Sequence, residues 1–148
     1  MTLMRYVGAR LAPRSVDGMH RSRIGIVLID HAAQYDEALA FWSGVTGVTP
    51  RPEADAPYTA IGPIGSLNLE VQRLGEGTPP RIHLDIESDN PSAEIERLIG
   101  LGATVVEREE DFATMRDPGG LVFCVVSVQT GERFEREATT WELSLIHI

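Results

Sequence analysis

Two stretches of the chain show the same order of hydrophobic and polar positions. In the first, the apolar run Ile24–Ile29 precedes a helical pattern that ends at Gly47; in the second, Ile82–Ile86 precedes a helical pattern that ends at Gly102. The two glycines are 55 residues apart, and short strand patterns follow each of them. A period of this length indicates an internal repeat. The pattern therefore predicts two similar modules that face each other across a small-molecule cleft.

The first module reads as strand, helix, loop and two strands. Within Gln34–Val45, apolar residues recur at three- and four-residue steps, which predicts one buried helix stripe: Ala38, Leu39, Trp42 and Val45. Gly47 suits the left-handed position that ends a helix. The acidic, proline-containing segment Pro50–Pro57 is predicted to be a loop, and Tyr58–Ile61 and Leu67–Gln72 are predicted strands.

The second module repeats this order. Asn90 is predicted to cap a helix that begins with Pro91 and ends at Gly102. Its buried stripe is predicted to contain Ile95, Leu98 and Ile99. The predicted strands that follow are Ala103–Val106, Phe112–Met115 and Leu121–Val128. The last is the most hydrophobic, which suggests the centre of a sheet, while Glu107–Asp111 is expected to be a solvated acidic turn.

Polar residues alternate with apolar ones in two of the strands. Period-two alternation places them on one face of each strand: Asn68, Glu70 and Gln72 in the first module, and His83 and Asp85 in the second. These faces form either the polar floor of a ligand site or a solvated outer surface. The pattern of a single sequence leaves both alternatives open.

The amino-acid composition argues against nucleic acid as a partner. All thirteen basic residues are arginine. Residues 24–142 contain eight of them against 21 acids, a net charge of −13. Nucleic acid is an unsuitable partner for this surface, because arginine and lysine contacts to phosphate supply most of that affinity.

The cysteine content and the two ends of the chain indicate where in the cell the protein is expected and which residues form its domain. Cys124 is the only cysteine, there is no apolar run of membrane-spanning length, and the first 23 residues lack a secretory signal pattern. We therefore expect a cytoplasmic protein without membrane contact. Residues 1–21 are predicted to be a disordered or mis-assigned extension. Residues 143–148 resemble a translated sequencing adapter, so they are predicted to be a scar beside a single domain over residues 22–142.

The combined motifs resemble a known family. The order of elements, the helix-ending glycines, the strand Arg81–Ile86 (RIHLDI) and the segment Arg116–Val126 (RDPGGLVFCVV) are similar to the glyoxalase-like branch of the vicinal oxygen chelate superfamily. The similarity covers residues 23–129. It implies an α+β fold of two βαβββ modules, at residues 24–73 and 81–129, which form a cupped eight-stranded mixed sheet with helices packed outside.

The resemblance also implies where a divalent metal would be held. The family's four ligand positions lie on the first and last strand of each module. They fall here on Glu70, His83, Cys124 and, for the fourth, on Val27 or Leu28. One position is therefore aliphatic, and a cysteine stands where the family usually has glutamate. One alternative is a three-ligand site for Zn, Ni, Mn or Fe. The other is that no metal binds here, so that Cys124 is a buried core cysteine and His83 a core histidine with hydrogen-bond partners in the protein.

Two further residues, Tyr58 and Arg116, complete the candidate site. Tyr58 is a possible cleft wall, and Arg116 either anchors a carboxylate or pairs with Asp117. His31 is interpreted as a loop residue, and His20 lies in the predicted N-terminal extension, residues 1–21, which is not part of the predicted domain.

Three functions are in competition, of which a mainly structural or interaction role, with dimerisation through sheet edges, ranks last. The first is binding of a small oxygenated organic molecule in the cup without the full metal site. Glu70, His83 and Arg116 would then be polar anchors, with Tyr58, Asn68, Gln72 and Asp85 around the ligand. The second is a metal-dependent lyase, isomerase or dioxygenase with Glu70 and His83 as ligands and catalytic groups. The family resemblance also implies a homodimer.

Overall fold

The computed structural model describes residues 18–142, which form one mixed sheet with three helices. Its elements in chain order are β1 Met19–His31, α1 Tyr35–Thr46, β2 Arg51–Pro52, β3 Tyr58–Ala60, β4 Asn68–Arg73, β5 Arg81–Ser88, α2 Pro91–Gly100, β6 Thr104–Glu109, β7 Phe112–Arg116, β8 Val122–Ser127, α3 Glu132–Glu137 and β9 Thr139–Glu142. None of the helices in this part of the chain is long and apolar enough to cross a membrane.

The sheet confirms the two-module prediction. Its strand order is β2-β3-β4-β1-β5-β8-β7-β6. In each module the first strand is parallel to the last, β1 to β4 and β5 to β8. The two first strands, β1 and β5, pair antiparallel at the centre and join the modules into one cupped sheet. The protein is therefore of the α+β class.

Local sequence signals set the helix ends as predicted. Gly47 has a φ of 72° at the end of α1, and its N–H donates to the Ser43 carbonyl. At the start of α2, the Asn90 side chain accepts a hydrogen bond from the Ala93 N–H, and Pro91 is the first helical residue. Both signals depend only on neighbouring backbone geometry, which is why the sequence reveals them.

Helices α1 and α2 cover one face of the sheet, which we call the helix face. Helix α1 packs Leu39 and Trp42 on a core from β1, β3 and β4. Helix α2 packs on β5, β7 and β8 through Ile95 and Leu98. Two residues of the predicted stripes, Val45 and Ile99, are exposed instead of buried.

The first strand is longer than predicted. It begins at Met19 rather than Ile24, because its first four residues pair with β9. His20 therefore lies in a strand and is buried, and its Nε2 is 2.7 Å from Glu94 Oε1. His31 is also a strand residue, paired with Arg73, rather than part of a loop.

Other differences concern short or exposed elements. The predicted loop Pro50–Pro57 begins with the two-residue strand β2, and β6 extends through Glu107–Glu109, so only the end of the predicted acidic turn is a turn. Strand β8 is interior but not central. Helix α3 and strand β9 have too few apolar residues to give a periodic signal, and the sequence analysis missed them. Residues 1–17 and the predicted scar at 143–148 lie outside the described residues.

Candidate functional site

The polar residues predicted to share a face do lie together, on the side of the sheet opposite α1 and α2. We call this side the cup face. Residues paired across neighbouring strands project to the same side, and the register defines three rows. The Cys124 row contains Asn68, Ile26, Asp85 and Cys124. The Leu28 row contains Glu70, Leu28 and His83. The Asp30 row contains Gln72, Asp30 and Arg81.

The Leu28 row shows which residue, Val27 or Leu28, stands at the fourth metal position that the family resemblance implies. Leu28 pairs with Glu70 on one side and with His83 on the other. Its side chain is fully buried, whereas Val27 projects to the opposite face and packs with the α1 core. An aliphatic side chain therefore separates Glu70 from His83, and the four-ligand arrangement of the family is incomplete.

His83 is held between two carboxylates. Its Nδ1 lies 2.7 Å from Asp30 Oδ2, and its Nε2 lies 3.4 Å from Asp85 Oδ1. Burial by itself would lower the pKa of this imidazole. The hydrogen bonds and negative charges of Asp30 and Asp85 outweigh that effect and raise its pKa from 6.5 to about 9. With these neighbours alone, His83 carries a proton at neutral pH.

One group of side chains has the composition of a metal site. A nitrogen of His83, a carboxylate oxygen of Asp85 and the sulfur of Cys124 all lie within 4.8 Å of one another, and all three residues are buried. Cys124 Sγ also lies 3.9 Å from Thr114 Oγ1. Glu70, which the sequence analysis placed in the ligand set, is not in this group, while Asp85 is.

The donor set and its support fit a metal ion. Zn²⁺ accepts nitrogen, oxygen and sulfur ligands, and catalytic zinc sites often have three protein ligands. The Asp30 carboxylate bonded to His83 Nδ1 leaves Nε2 as the ligand atom, an orientation typical of metal-bound histidines. These three residues are therefore compatible with one ion, which would displace the proton on Nε2.

The Asp30 row contains polar atoms that the protein does not satisfy. Arg81 Nε donates to Asp30 Oδ2 over 3.2 Å. Three other buried atoms of the row have no hydrogen-bond partner: Gln72 Oε1, Asp30 Oδ1 and Arg81 Nη2. An unpaired buried polar group costs about 1–3 kcal/mol. Two acceptors and one donor therefore lie side by side in adjacent strands without protein partners.

The remaining predicted residues lie around these rows. Tyr58 is buried and pairs in register with Gln72, so it is next to the Asp30 row. Arg116 is exposed at the end of β7, and no ion pair of Arg116 is seen in residues 18–142. Asp117 does not pair with it; instead its Oδ1 accepts from the N–H groups of Gly119 and Leu121.

Sequence reasoning missed three polar residues of the site. Asp30 and Arg81 lie at the ends of their strands, where alternation in a short apolar run gives a weak signal. Arg133 on α3 contacts Asn68 on the cup face. It follows the second module in sequence, so no module pattern could reveal it.

Two solved structures resemble this chain at low sequence identity. No curated protein is significantly similar in sequence. A structure described as NAD-dependent benzaldehyde dehydrogenase from Legionella pneumophila is similar with a TM-score of 0.48 and 10% identity, covering 70% of this chain and 99% of that chain. A hypothetical protein from Bacillus halodurans is similar with a TM-score of 0.47 and 11% identity, covering 73% and 95%.

The decisive match is to a family model. The model described as a glyoxalase-like domain matches residues 26–126, which include both modules and all three rows of the cup face. This match agrees with the sheet order, the paired first strands and the external helices. The chain therefore belongs to the glyoxalase-like domain family of the vicinal oxygen chelate superfamily.

Proposed function

We propose that this protein binds a small oxygenated organic molecule on the cup face without the family's four-ligand metal site. The observation that carries the proposal is the Asp30 row. Its unpaired atoms are two acceptors, Gln72 Oε1 and Asp30 Oδ1, and one donor, Arg81 Nη2. A ligand with a hydroxyl beside a carbonyl or carboxyl oxygen has the complementary groups. Binding would then recover hydrogen bonds that the protein alone leaves unmade.

The surroundings of the row suit such a ligand. Leu28 and Ile26 lie on the same face beside the polar residues, and they belong to a buried apolar cluster with Phe112 and Val126. Small-molecule sites are mostly apolar, with a few polar groups that fix orientation. In this proposal Tyr58 is a wall of the site, and Glu70 and Asn68 lie on its floor.

The test compares Gln72→Met with wild type. Ligand binding is screened with oxygenated compounds by isothermal calorimetry, and stability by urea unfolding. We expect about tenfold weaker binding, together with unchanged or higher stability, because the variant removes an unsatisfied buried acceptor. Gln129→Met, the same change at a half-buried residue after β8, is the control. Equal affinity in Gln72→Met and wild type would refute the role of this row.

The group of His83, Asp85 and Cys124 favours a second candidate, a metal-dependent enzyme. A bound ion would act as a Lewis acid on a substrate oxygen. Asp30 would orient His83, and Glu70 would be available as a general base. The thiolate favours zinc over manganese among the predicted ions. Lyase, isomerase and dioxygenase chemistry all remain compatible with this candidate.

Elemental analysis of protein purified without metal-affinity steps separates the candidates. Stoichiometric metal that is lost in Cys124→Ser and Asp85→Asn, but retained in Glu70→Gln, would support the second candidate with the ligand set of the structure. Loss in Glu70→Gln would support the set inferred from the family. No metal after incubation with each ion would favour the first proposal. The homodimer and the cytoplasmic location stay predictions. Analytical ultracentrifugation, which measures the mass of the particle in solution, can test the homodimer.

A further inference from the structure

Helix α3 brings a cation to one end of the cup face. Arg133 Nη2 donates to Asn68 Oδ1 over 2.7 Å, and its Nη1 donates to the Ser66 carbonyl over 3.3 Å. Asn68 belongs to the Cys124 row, where it pairs with Ile26. The guanidinium is therefore in contact with a side chain of the cup floor, although α3 lies outside both modules.

A second guanidinium converges on the same carbonyl. Arg23 Nη2 donates to Ser66 O over 2.7 Å, and Arg23 Nε donates to Glu87 Oε2 over 2.7 Å. Glu87 also accepts hydrogen bonds from the backbone N–H groups of Gln129 and Thr130. This buried carboxylate is thus fully engaged, and its charge is balanced by Arg23.

Arg133 is left without a countercharge. Within residues 18–142 it forms no ion pair with a carboxylate, and its two protein partners are a carbonyl and an amide oxygen. A guanidinium has five N–H donors, so several remain for another acceptor. The local charge of Arg23, Arg133 and Glu87 is +1, whereas residues 23–142 as a whole have a net charge of −12.

In a protein with this acidic net charge, a cation without a carboxylate partner, such as Arg133, is the favoured place for an anion to bind. The acidic surroundings disfavour an anionic ligand elsewhere. A planar guanidinium matches the geometry of a carboxylate and binds it through paired hydrogen bonds. Asn68 is half-buried, so the pair lies at an accessible end of the cup rather than in the core.

We propose that Arg133 anchors the carboxylate of the ligand bound on the cup face, so that the ligand is an oxygenated organic acid. This inference rests on the proposed function, since it assigns the ligand class of the same site. The carboxylate lies at the Asn68 end, and the hydroxyl and carbonyl groups lie at the Asp30 row. These ends are four residues apart along β4, roughly 13 Å.

The test uses a panel of oxygenated carboxylic acids, each paired with its primary amide. The two members of a pair differ mainly in charge. An example is 10-hydroxy-9-oxodecanoate and its primary amide, whose extended chain can place the carboxylate at Arg133 and the carbonyl and hydroxyl at the Asp30 row. Affinity for both is measured by calorimetry with wild type, Arg133→Gln and Arg133→Lys. Arg136→Gln is the matched control, because Arg136 lies on the same helix and is 63% exposed, and among the described residues its one ion-pair partner is Glu132.

We expect wild type to prefer acids over amides. Arg133→Gln should bind the acids about 10- to 100-fold more weakly and the amides unchanged, as the loss of a charge-assisted hydrogen bond predicts. Arg133→Lys should retain part of the preference, and Arg136→Gln all of it. The ratio of affinities reports on the anchor even when a variant is less stable.

The other outcomes overturn the inference in distinguishable ways. Equal binding of acids and amides, with no effect of Arg133→Gln, would refute the anchor and leave the proposed function standing. Acid preference that persists in Arg133→Gln would also refute it. Failure of every pair to bind any of the four proteins would count against both the anchor and the proposed function.

Discussion

The pKa of the His83 imidazole in metal-free protein should lie about 2.5 units above that of an ordinary histidine. Its pKa is about 9 because Asp30 and Asp85 contact its two nitrogens. Replacement of Asp30 with asparagine removes one of these charges while keeping the shape of the side chain. An opposite charge at this distance shifts a pKa by about 1–3 units, so Asp30→Asn should lower the pKa of His83 by about that amount.

The same shift predicts how stability depends on pH. The folded-state pKa lies above the unfolded value of 6.5. The stabilisation is therefore fully present below pH 6.5 and is lost as the pH rises toward 9. A difference of 2.5 units corresponds to about 3–4 kcal/mol at about 1.4 kcal/mol per unit. Urea unfolding at pH 6 and pH 9.5 measures this difference, which should be smaller in Asp30→Asn.

The assay is a nitrogen-15 NMR titration of the imidazoles after chelator treatment. Asp36→Asn is the control, because Asp36 is exposed and, within residues 18–142, forms an ion pair only with Arg73. It should leave the pKa of His83 unchanged. A pKa of His83 near 6.5 in the metal-free protein, or one that Asp30→Asn does not move, would refute the reasoning. A bound metal would replace the proton on Nε2, so titration before chelation separates the two candidate functions.

Three further predictions concern the buried charges that hold the fold. Glu87→Gln should lower the free energy of unfolding by about 3–5 kcal/mol, because buried Arg23 loses its carboxylate partner. Urea unfolding measures this change. In the same assay the control Arg136→Gln, at an exposed residue, should be within about 0.5 kcal/mol of wild type. Gly25→Ala should cost about 1–3 kcal/mol in the same assay, because the new Cβ collides with Glu87; an unchanged midpoint would contradict this packing. The pKa of Glu94 is held below its usual value by its hydrogen bonds despite burial, so stability should fall as the pH drops below about 4.5. Acid unfolding of Glu94→Gln should lack this component, and an identical acid transition in the variant would count against it.

Much of the fold could be predicted because its signals are local. The glycine after α1, the Asn90–Pro91 start of α2 and the alternation in β4 and β5 depend on residues close in sequence. These signals recur in two modules, and the repeat strengthens each of them. The ends of β1 and the elements α3 and β9 could not be predicted in this way, because β9 pairs with residues more than 100 positions earlier.

The candidate site could be predicted only in part. Alternation placed Glu70 and Gln72 on one face, and His83 and Asp85 on another, but it could not show that the two faces are the same. The family resemblance supplied His83 and Cys124, while Asp85 joined them only once β5 and β8 were aligned in parallel.

The sequence by itself determined the two modules, their order of elements and the polar character of one face in each, because periodicity and helix capping are properties of short segments. Only the tertiary structure decided that β1 and β5 pair at the centre, which places Leu28 between Glu70 and His83. It also decided that His83 lies between Asp30 and Asp85, and that Arg133 reaches Asn68 without a carboxylate partner within residues 18–142. Strand register and side-chain contact between distant segments depend on the packing of the whole chain, so the chemistry of the cup emerges only when the sheet is assembled.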